Sequence, residues 1–523
     1  MTAAPNPAAL LIYVFCALSG IAIERGFLVN SLVKRILLIY AIAAAQIMVS
    51  VELLSIAKAL TGWNLIFLNG GLTASALTAL WRRSAIEGRL AWRELAARAV
   101  SDLGVARKDW PTSALFIVAG GFFIMSAAVG WMMLPYNDSY HFEMPRFWLQ
   151  NKSAYPFPCH NPRITTITFL SEAMELPGFV SFRNDAAVLA AAIAAGILVI
   201  GTIYSLARRL GAGVIAAAAA SAVGVGYMTF ASSIFTSAAE MLLAGAFFGG
   251  SVIFLMDVWA DGKRRRGVIG ELGCSVFLFV MACGAQNPTT VVAPFYLIFL
   301  AVACWKMLKQ RLGKGDQIVG KMIFTFVGAG LISLLCSGVA WNYGVNRIYF
   351  GANGMPPLMK SVVSHNYAPR EIWTRLARGA VLVAYDTLWM PKSARDTYKN
   401  VAAKTVRILG GEESLPEDDP YYSFQADPMK GFGPLGIILL IPALVIAVPL
   451  SIRVLRKSTN PIATPMFNVL TLATLAIASF VMVHLVLRWQ SVAMVRLMFP
   501  IVVAAAPLAA LLLEKRWLRV VSV

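Results

Sequence analysis

The chain has few charged residues for its length, and its acids are fewer than its bases. Only 14% of the 523 residues are charged, with 26 Asp and Glu against 45 Lys and Arg, whereas 59% are hydrophobic. No water-soluble domain needs so many apolar residues, and the apolar runs repeatedly reach the ~20 residues that cross a bilayer as a helix. The composition therefore excludes a soluble enzyme and predicts an all-α polytopic membrane protein.

Cysteine and histidine are also scarce, with six and four residues. Five cysteines lie in apolar runs, where we expect them to act as small hydrophobic residues, and only Cys159 lies in a polar segment. Neither a Cys-x-x-Cys pair nor a histidine-rich spacing of zinc ligands occurs. The consecutive acids Glu417, Asp418 and Asp419 could hold a divalent ion, but such runs more often form a solvated loop. We expect no metal and no other cofactor.

The formal net charge is nevertheless +19, which raises the question of nucleic acid. A nucleic-acid-binding protein is expected to carry a soluble basic domain with interleaved aromatic residues, and this chain has none. Its Lys and Arg residues fall instead in short clusters between apolar runs, as in cytoplasmic loops. The sequence therefore favours membrane lipids as partners and no nucleic acid.

About thirteen apolar runs are long enough to be spans. They lie near residues 8–24, 36–58, 64–80, 113–134, 186–206, 212–230, 237–259, 268–285, 290–308, 321–343, 432–452, 465–487 and 495–513. No basic region precedes the first run and no cleavage site follows it, so we expect a retained helix.

Basic clusters fall on every second connection between these runs, and positive charge marks the cytoplasmic side. This alternation predicts a plasma-membrane protein with its amino terminus outside and its carboxyl terminus in the cytoplasm. Two larger outer segments, 135–185 and 344–431, then face the periplasm. We divide the chain into four parts: extra amino-terminal spans with a basic loop, a core that contains the first outer segment, the second outer segment, and carboxyl-terminal spans. Their boundaries are 1–112, 113–343, 344–431 and 432–523.

The polar segment Tyr136–Arg163, YNDSYHFEMPRFWLQNKSAYPFPCHNPR, concentrates the chemistry of the outer face. Asp138 follows a span and precedes a predicted helix, Tyr140–Gln150. A carboxylate near the amino end of a helix is stabilised in its ionised form, which a general base requires. The alternative is an ordinary solvated loop acid.

The predicted helix carries further candidates for substrate binding. His141 and Arg146 lie on it, and Glu143 can pair with Arg146 at a spacing of three, which would leave Glu143 a purely structural role. Phe147, Trp148 and other apolar side chains of this helix are expected to anchor it flat in the membrane interface.

Ionisable residues within or beside apolar sequence form a second group of candidates. Arg163, Glu172 and Glu175 flank a half-apolar stretch that either faces a cavity or forms an amphipathic surface helix. Glu240 begins a span, where the helix dipole alone can explain it. Arg496 lies in the apolar sequence VAMVRLMFP and must snorkel or meet an anion such as a lipid phosphate.

One polar turn between spans, Gln286-Asn287-Pro288-Thr289, has a structural explanation. Pro288 suits the first position of a new helix, and Asn287 is expected to cap it.

Several motifs, in order, resemble a known family. They are Asn137–His141, Pro145-Arg146, Trp148–Ser153, Tyr155-Pro156, Asn161–Arg163, Glu172 with Met174-Glu175, Asn353–Pro357, Glu417-Asp418 with Gly433–Gly436, and Trp489-Gln490 with Arg496-Leu497 and Pro500. From about residue 113 onward the chain resembles bacterial GT-C glycosyltransferases related to the dolichyl-phosphate-mannose protein mannosyltransferases.

The resemblance implies a GT-C-like bundle and transfer of a sugar from a polyprenyl-phosphate carrier to an acceptor at the outer face. It implies that Asp138 deprotonates the acceptor hydroxyl for inverting attack. It further implies that Arg496, with Arg163 as a second candidate, holds the carrier phosphate. His141, Arg146, Glu172 and Glu240 complete the predicted substrate-binding set.

Two other classes compete with the enzyme. A transporter or flippase for lipid-linked glycans is suggested by the number of spans and by Glu240 and Arg496, although it predicts two related halves, and no internal repeat is evident. A non-catalytic membrane scaffold is the third.

Overall fold

The structure is a computed structural model of the whole chain, and its helices follow the apolar runs. It describes residues 5–27, 29–81, 90–133, 140–156, 169–182, 186–226, 239–260, 267–311, 317–351, 441–457, 465–486 and 499–513, and single residues at 230, 234, 376, 393, 397, 400, 401, 404 and 408. No β-strand occurs within these ranges. The all-α class is confirmed.

The described residues up to 285 form eleven helices, preceded by a short 3-10 helix, Pro7–Leu10. They are α1 (Leu11–Glu24), α2 (Leu32–Ile56), α3 (Gly62–Trp81), α4 (Trp92–Arg107), α5 (Trp110–Met133), α6 (Tyr140–Asn151), α7 (Leu170–Phe182), α8 (Ala186–Arg209), α9 (Val214–Val225), α10 (Ala239–Ala260) and α11 (Val268–Ala285).

The 3-10 helix Asn287–Val292 then leads into the remaining elements. They are α12 (Ala293–Arg311), α13 (Gln317–Cys336), α14 (Val339–Phe350), α15 (Ile441–Lys457), α16 (Pro465–Val486), α17 (Phe499–Ala505) and α18 (Ala509–Leu513), the last two separated by the 3-10 turn Ala506–Leu508.

Nine helical segments of the described ranges are long and apolar enough to cross a membrane. They begin at Pro7, Leu32, Trp110, Ala186, Ala239, Val268, Asn287, Val319 and Pro465. The chain is thus a multi-pass membrane protein. The other predicted spans coincide with α3, the twelve-residue α9, α15 and the broken segment α17–α18, so the total of thirteen stays a prediction.

Helix α10 forms the centre of the bundle, because 94% of its most apolar 18-residue stretch is buried. It packs against α8, α11 and α17. Gly249 and Gly250 permit this close approach, because an added Cβ at Gly249 would overlap Thr202 of α8 and one at Gly250 would lie 3.1 Å from Leu37 of α2. Helix contacts this close maximise van der Waals packing between helices in lipid.

Helices α5 and α13 lie at the margin of the bundle. Only 17% and 11% of their most apolar windows are buried, and Trp110, Ile117 and Phe324 expose three quarters or more of their surface. Large apolar side chains exposed in this way suit contact with lipid chains. The five described cysteines are free and buried or half-buried, as expected.

The amino-terminal helices share the core of the bundle. Leu37 and Met48 of α2 belong to the same buried cluster as Leu242 of α10 and Leu278 of α11. A boundary at residue 112, like the other two domain boundaries, stays a prediction.

The charged ends of four central helices define the two ends of the bundle. Helices α2 and α11 begin, and α8 and α10 end, where Lys34, Glu271, Arg209 and Asp257 meet. We call this the basic end. At the opposite end of the bundle α2 and α11 end and α8 and α10 begin. Helices α6 and α7, which come between α5 and α8 in the sequence, lie at that end.

Candidate functional site

Three predicted residues lie outside the described ranges, namely Asp138, Arg163 and Arg496. The acidic run Glu417–Asp419 lies outside them as well. His141 belongs to the first turn of α6, and only its backbone is described. The geometry of the candidate site is therefore given by Arg146, Glu172 and Glu240 and by the elements that carry them.

Helix α6 forms as predicted, over Tyr140–Asn151, and packs against α7. Trp148 is buried, and its ring meets that of Phe169 edge-on, with centroids 4.9 Å apart. The expected role of Trp148 as an interfacial anchor is therefore wrong, because the side chain fills the seam between two helices. Arg146 is exposed beside this seam, with its guanidinium 5.6 Å from the Phe179 ring.

Helix α7 is buried along its whole length except at Phe182. The alternative of an amphipathic surface helix is therefore wrong. Glu172 and Glu175 are each only 1% exposed. The Ser171 hydroxyl donates to Glu172 Oε2 at 2.8 Å, and Glu175 lies within electrostatic range of the Tyr13 and Tyr40 hydroxyls. Carboxyl groups this deep in apolar surroundings need polar partners.

A tyrosine from α1 holds α7 in place at its internal proline, Pro177. The Tyr13 hydroxyl donates to the Met174 carbonyl at 2.7 Å and accepts from the Gly178 N–H at 3.1 Å. In an unbroken helix these two backbone groups would bond to each other. The hydroxyl therefore supplies a side-chain partner to both backbone groups beside Pro177, whose nitrogen cannot donate.

Glu240 is the second residue of α10 and is only 7% exposed. Helix α10 contacts α7 at this end of the bundle, so Glu172, Glu175 and Glu240 belong to neighbouring elements. A carboxylate in the first turn also suits the helix dipole, as the structural explanation requires.

The Gln286-Asn287-Pro288-Thr289 turn differs from the prediction. The 3-10 helix begins at Asn287, so Gln286 is the residue that precedes it, and no side chain caps the helix. The expected cap by Asn287 is wrong. Within the described chain, the Gln286 amide, Asn287 Oδ1 and Thr289 Oγ1 are buried without hydrogen-bond partners.

The basic end contains a buried ionic network that the sequence analysis missed. Lys34 Nζ lies 2.8 Å from Asp257 Oδ2 and 2.6 Å from Glu271 Oε1. Arg209 donates to both Asp257 oxygens, at 2.7 and 2.8 Å. Lys34 is only 1% exposed and also lies 4.2 Å from the Phe254 ring centroid. The two cations balance the two carboxylates, which is the condition for burying them.

A second ion pair adjoins this network. Arg35 is fully buried, with Nε 3.3 Å from Glu24 Oε1. Arg35 also donates to the carbonyls of Val29 and Leu90, at 2.7 and 2.6 Å. Lys34 and Arg35 belong to the basic clusters that the sequence places between apolar runs, and the structure buries both of them in the first turn of α2. The available signal was an acid, Asp257 or Glu271, inside a predominantly apolar helix.

The described residues contain no group of three His, Cys, Asp or Glu side chains arranged to hold a metal ion. Comparison of the chain with protein-family models, with curated proteins and with solved structures yields no match.

Proposed function

We propose that the protein is an inverting glycosyltransferase of the GT-C type that moves a sugar from a polyprenyl-phosphate carrier to an acceptor at the outer face. One observation carries the proposal. The segment that begins with Asp138 returns into the bundle as α6 and α7, and α7 brings Glu172 and Glu175 to buried positions. Burying two carboxyl groups is costly, so a segment that retains them is a candidate for function.

In this proposal Asp138 is the general base for the acceptor hydroxyl. Arg496 and Arg163 bind the carrier phosphate, whose negative charge grows as the sugar departs. His141, Arg146, Glu172 and Glu240 bind the sugar or the acceptor, since carboxylates and charged nitrogens form strong hydrogen bonds with hydroxyl groups. The proposal assigns no metal or other cofactor to the reaction.

The proposed setting is the plasma membrane, crossed about thirteen times, with the amino terminus outside and the carboxyl terminus in the cytoplasm. The basic end then faces the cytoplasm, because Arg208, Arg209 and the cluster Lys263–Arg266 lie at or beyond the helix ends there. The polar outer segments face the periplasm, where lipid-linked donors can reach them.

Transport of lipid-linked glycans is the alternative, motivated by the buried charges. A transporter is expected to bind its substrate near the middle of the bilayer. The network of Lys34 and Glu271 instead lies within four residues of the starts of α2 and α11, and its charges are paired within the protein. The paired charges favour a structural role.

An assay on the purified wild-type protein in sealed liposomes separates the classes. Polyprenyl-phosphate sugars with a labelled sugar are supplied outside, together with a membrane-lipid and protein extract as acceptor. The proposal predicts label covalently attached to an acceptor. If the label only moves to the other leaflet, the protein is a transporter. If the label is neither transferred nor moved, the protein is a scaffold.

A further inference from the structure

An apolar groove of about 560 Å³ runs along α2, between α1 and α3 on one side and α11 and α13 on the other. Its walls include Ile42 and Val49 of α2, Phe277 of α11, and Gly328 and Cys336 of α13. Phe324, which also lines it, is 80% exposed, so the groove opens sideways at the margin of the bundle.

The groove is apolar along its length. Gln46 is a polar residue of its lining, and its amide nitrogen is bonded to the Asn69 carbonyl and side chain and to the Thr73 hydroxyl. The α2 wall extends from Leu38 to Val49, or roughly 16 Å at the rise of an α-helix. This length is about half of the ~30 Å hydrocarbon core of a bilayer. The groove therefore has the depth and chemistry to hold a hydrocarbon chain.

An unpartnered carboxyl oxygen lies at the outer end of the groove. Glu52 follows Val49 by three residues on the same face of α2, and Cys336, which lines the groove, lies within electrostatic range of it. Glu52 Oε1 is buried and has no hydrogen-bond partner among the described residues.

Further unpartnered polar atoms lie at this end of the groove, beside the junction between α13 and α14. Gly284 of α11 packs so closely against Ser337, the residue after Cys336, that an added Cβ would overlap its carbonyl. Two residues later Gln286 is only 4% exposed, and neither atom of its amide is bonded within the described chain. Leaving a buried polar group unpaired is costly, so a ligand that pairs with it gains affinity.

We propose that the groove binds the hydrocarbon chain of a lipid whose hydroxyl-bearing head group bonds to Glu52 and Gln286. This lipid is the acceptor of the proposed transfer, so the proposal rests on that function. The unbonded oxygens of Glu52, Gln286 and Asn287 are acceptors. The unbonded amide nitrogen of Gln286 is a donor. A hydroxyl can donate to the three oxygens and accept from this nitrogen, whereas an ionised phosphate can only accept. The site thus suits a neutral glycolipid and not the phosphate of the donor.

The test uses two photoreactive lipids with identical diazirine-labelled acyl chains, a monoglycosyl diacylglycerol and a phosphatidylcholine, with the full-length protein in nanodiscs. The glycolipid is expected to label peptides of α2, α11 and α13 more strongly than the phosphatidylcholine. Glu52→Leu should remove this preference and leave phosphatidylcholine labelling unchanged. Equal labelling by both lipids in the wild type means that the groove holds bulk acyl chains only, and it overturns the proposal.

A matched pair of glycine substitutions tests the groove itself. Gly328 lines it and Gly330 is not among its lining residues, and a Cβ added at either position meets nothing within 4 Å. Gly328→Phe should fill the groove and reduce glycolipid labelling about tenfold, equivalent to ~1.4 kcal/mol, whereas Gly330→Phe should not. Ile332→Trp provides a second filling variant. Equal labelling of Gly328→Phe and Gly330→Phe contradicts the proposal.

The two proposals fail separately. If sugar transfer occurs and Gly328→Phe leaves the KM for a glycolipid acceptor unchanged, the groove is not the acceptor site, although the enzyme stands. If selective labelling is found without any sugar transfer, the lipid site stands and the proposed function is wrong.

Discussion

At the scale of single residues, Lys34 is the side chain whose replacement is expected to lower the stability of the protein most. It is buried between the carboxylates of Asp257 and Glu271. Lys34→Met leaves Glu271 without this cation, and breaking a buried pair from one side costs ~3–5 kcal/mol of stability. We expect that loss in the free energy of unfolding, measured in mixed detergent micelles.

Two variants control this prediction. Lys321→Met changes an exposed lysine of α13 and should shift stability by less than ~0.5 kcal/mol. The double variant Lys34→Met/Glu271→Leu should recover part of the loss, because it removes the stranded charge. A double variant no more stable than Lys34→Met would show that the charge pair is not what Lys34 contributes.

Tyr13 offers a second residue-scale test, since its hydroxyl bridges two backbone groups of α7 beside Pro177. Tyr13→Phe leaves the Gly178 N–H and the Met174 carbonyl without that partner in a buried site, so it should cost ~1–3 kcal/mol. Tyr349→Phe, at a half-exposed ring, is the matched control and should be nearly neutral. Equal melting temperatures for the two variants in detergent would refute the bridging role.

These residues also show where sequence reasoning ended. Lys34 and Asp257 are separated by 223 positions, and Tyr13 and Met174 by 161. A charge pattern along the chain indicates solvated clusters between spans, and only the folded packing reveals which cation meets which acid. The roles of Asp138, Arg163 and Arg496 stay predictions because those residues lie outside the described ranges.

At the scale of helices, the apolar runs of the sequence predicted well where the membrane-spanning helices begin and end. The predicted runs 8–24, 237–259 and 268–285 match described spans to within two residues at each end, because a bilayer demands both length and apolar composition. The burial of α7 was not predictable in this way. Its two glutamates give it the pattern of a surface helix, and the residue that accommodates its proline comes from α1.

The junction of α11 with α13 and α14 gives a prediction for a whole element. Gly284→Ala would force α11 away from the Ser337 carbonyl, so we expect a loss of stability of ~1–3 kcal/mol, as for other overpacked sites. Gly330→Ala, where the added Cβ meets nothing, should be neutral or stabilising by up to ~1 kcal/mol. Thermal unfolding of both variants in one detergent checks the difference. The reverse order would contradict the packing.

At the scale of the whole molecule, the ionic network joins the amino-terminal helices to the centre of the bundle. Lys34 of α2 binds Asp257 of α10 and Glu271 of α11, and Arg209 of α8 binds the same aspartate. We expect the helices joined by this network to unfold together. The apolar runs predicted the elements, but not that α1 and α2 share the core, because interhelical pairing depends on shape and on paired charges.

The orientation of the molecule is testable directly. The basic end is expected to face the cytoplasm, so a reporter fused after Val523 should be fluorescent as a cytoplasmic protein, and a periplasmic phosphatase fused there should be inactive. A cysteine introduced at Gly262, beside the cluster Lys263–Arg266, should react only after the membrane is opened. Active phosphatase at the carboxyl terminus would invert the topology and place the polar outer segments in the cytoplasm.

The central claim is that Asp138, which follows α5 in the sequence, acts as the base in sugar transfer, and one paired measurement tests it most directly. Asp138→Asn and Asp109→Asn make the same substitution after and before α5 in the sequence, and Asp109 caps that helix through Thr112, a role that asparagine can keep. Transfer of labelled sugar from a polyprenyl-phosphate donor should fall ~10²–10⁴-fold in Asp138→Asn, with equal amounts of folded protein, and stay at the wild-type level in Asp109→Asn. Wild-type transfer by Asp138→Asn would contradict the account.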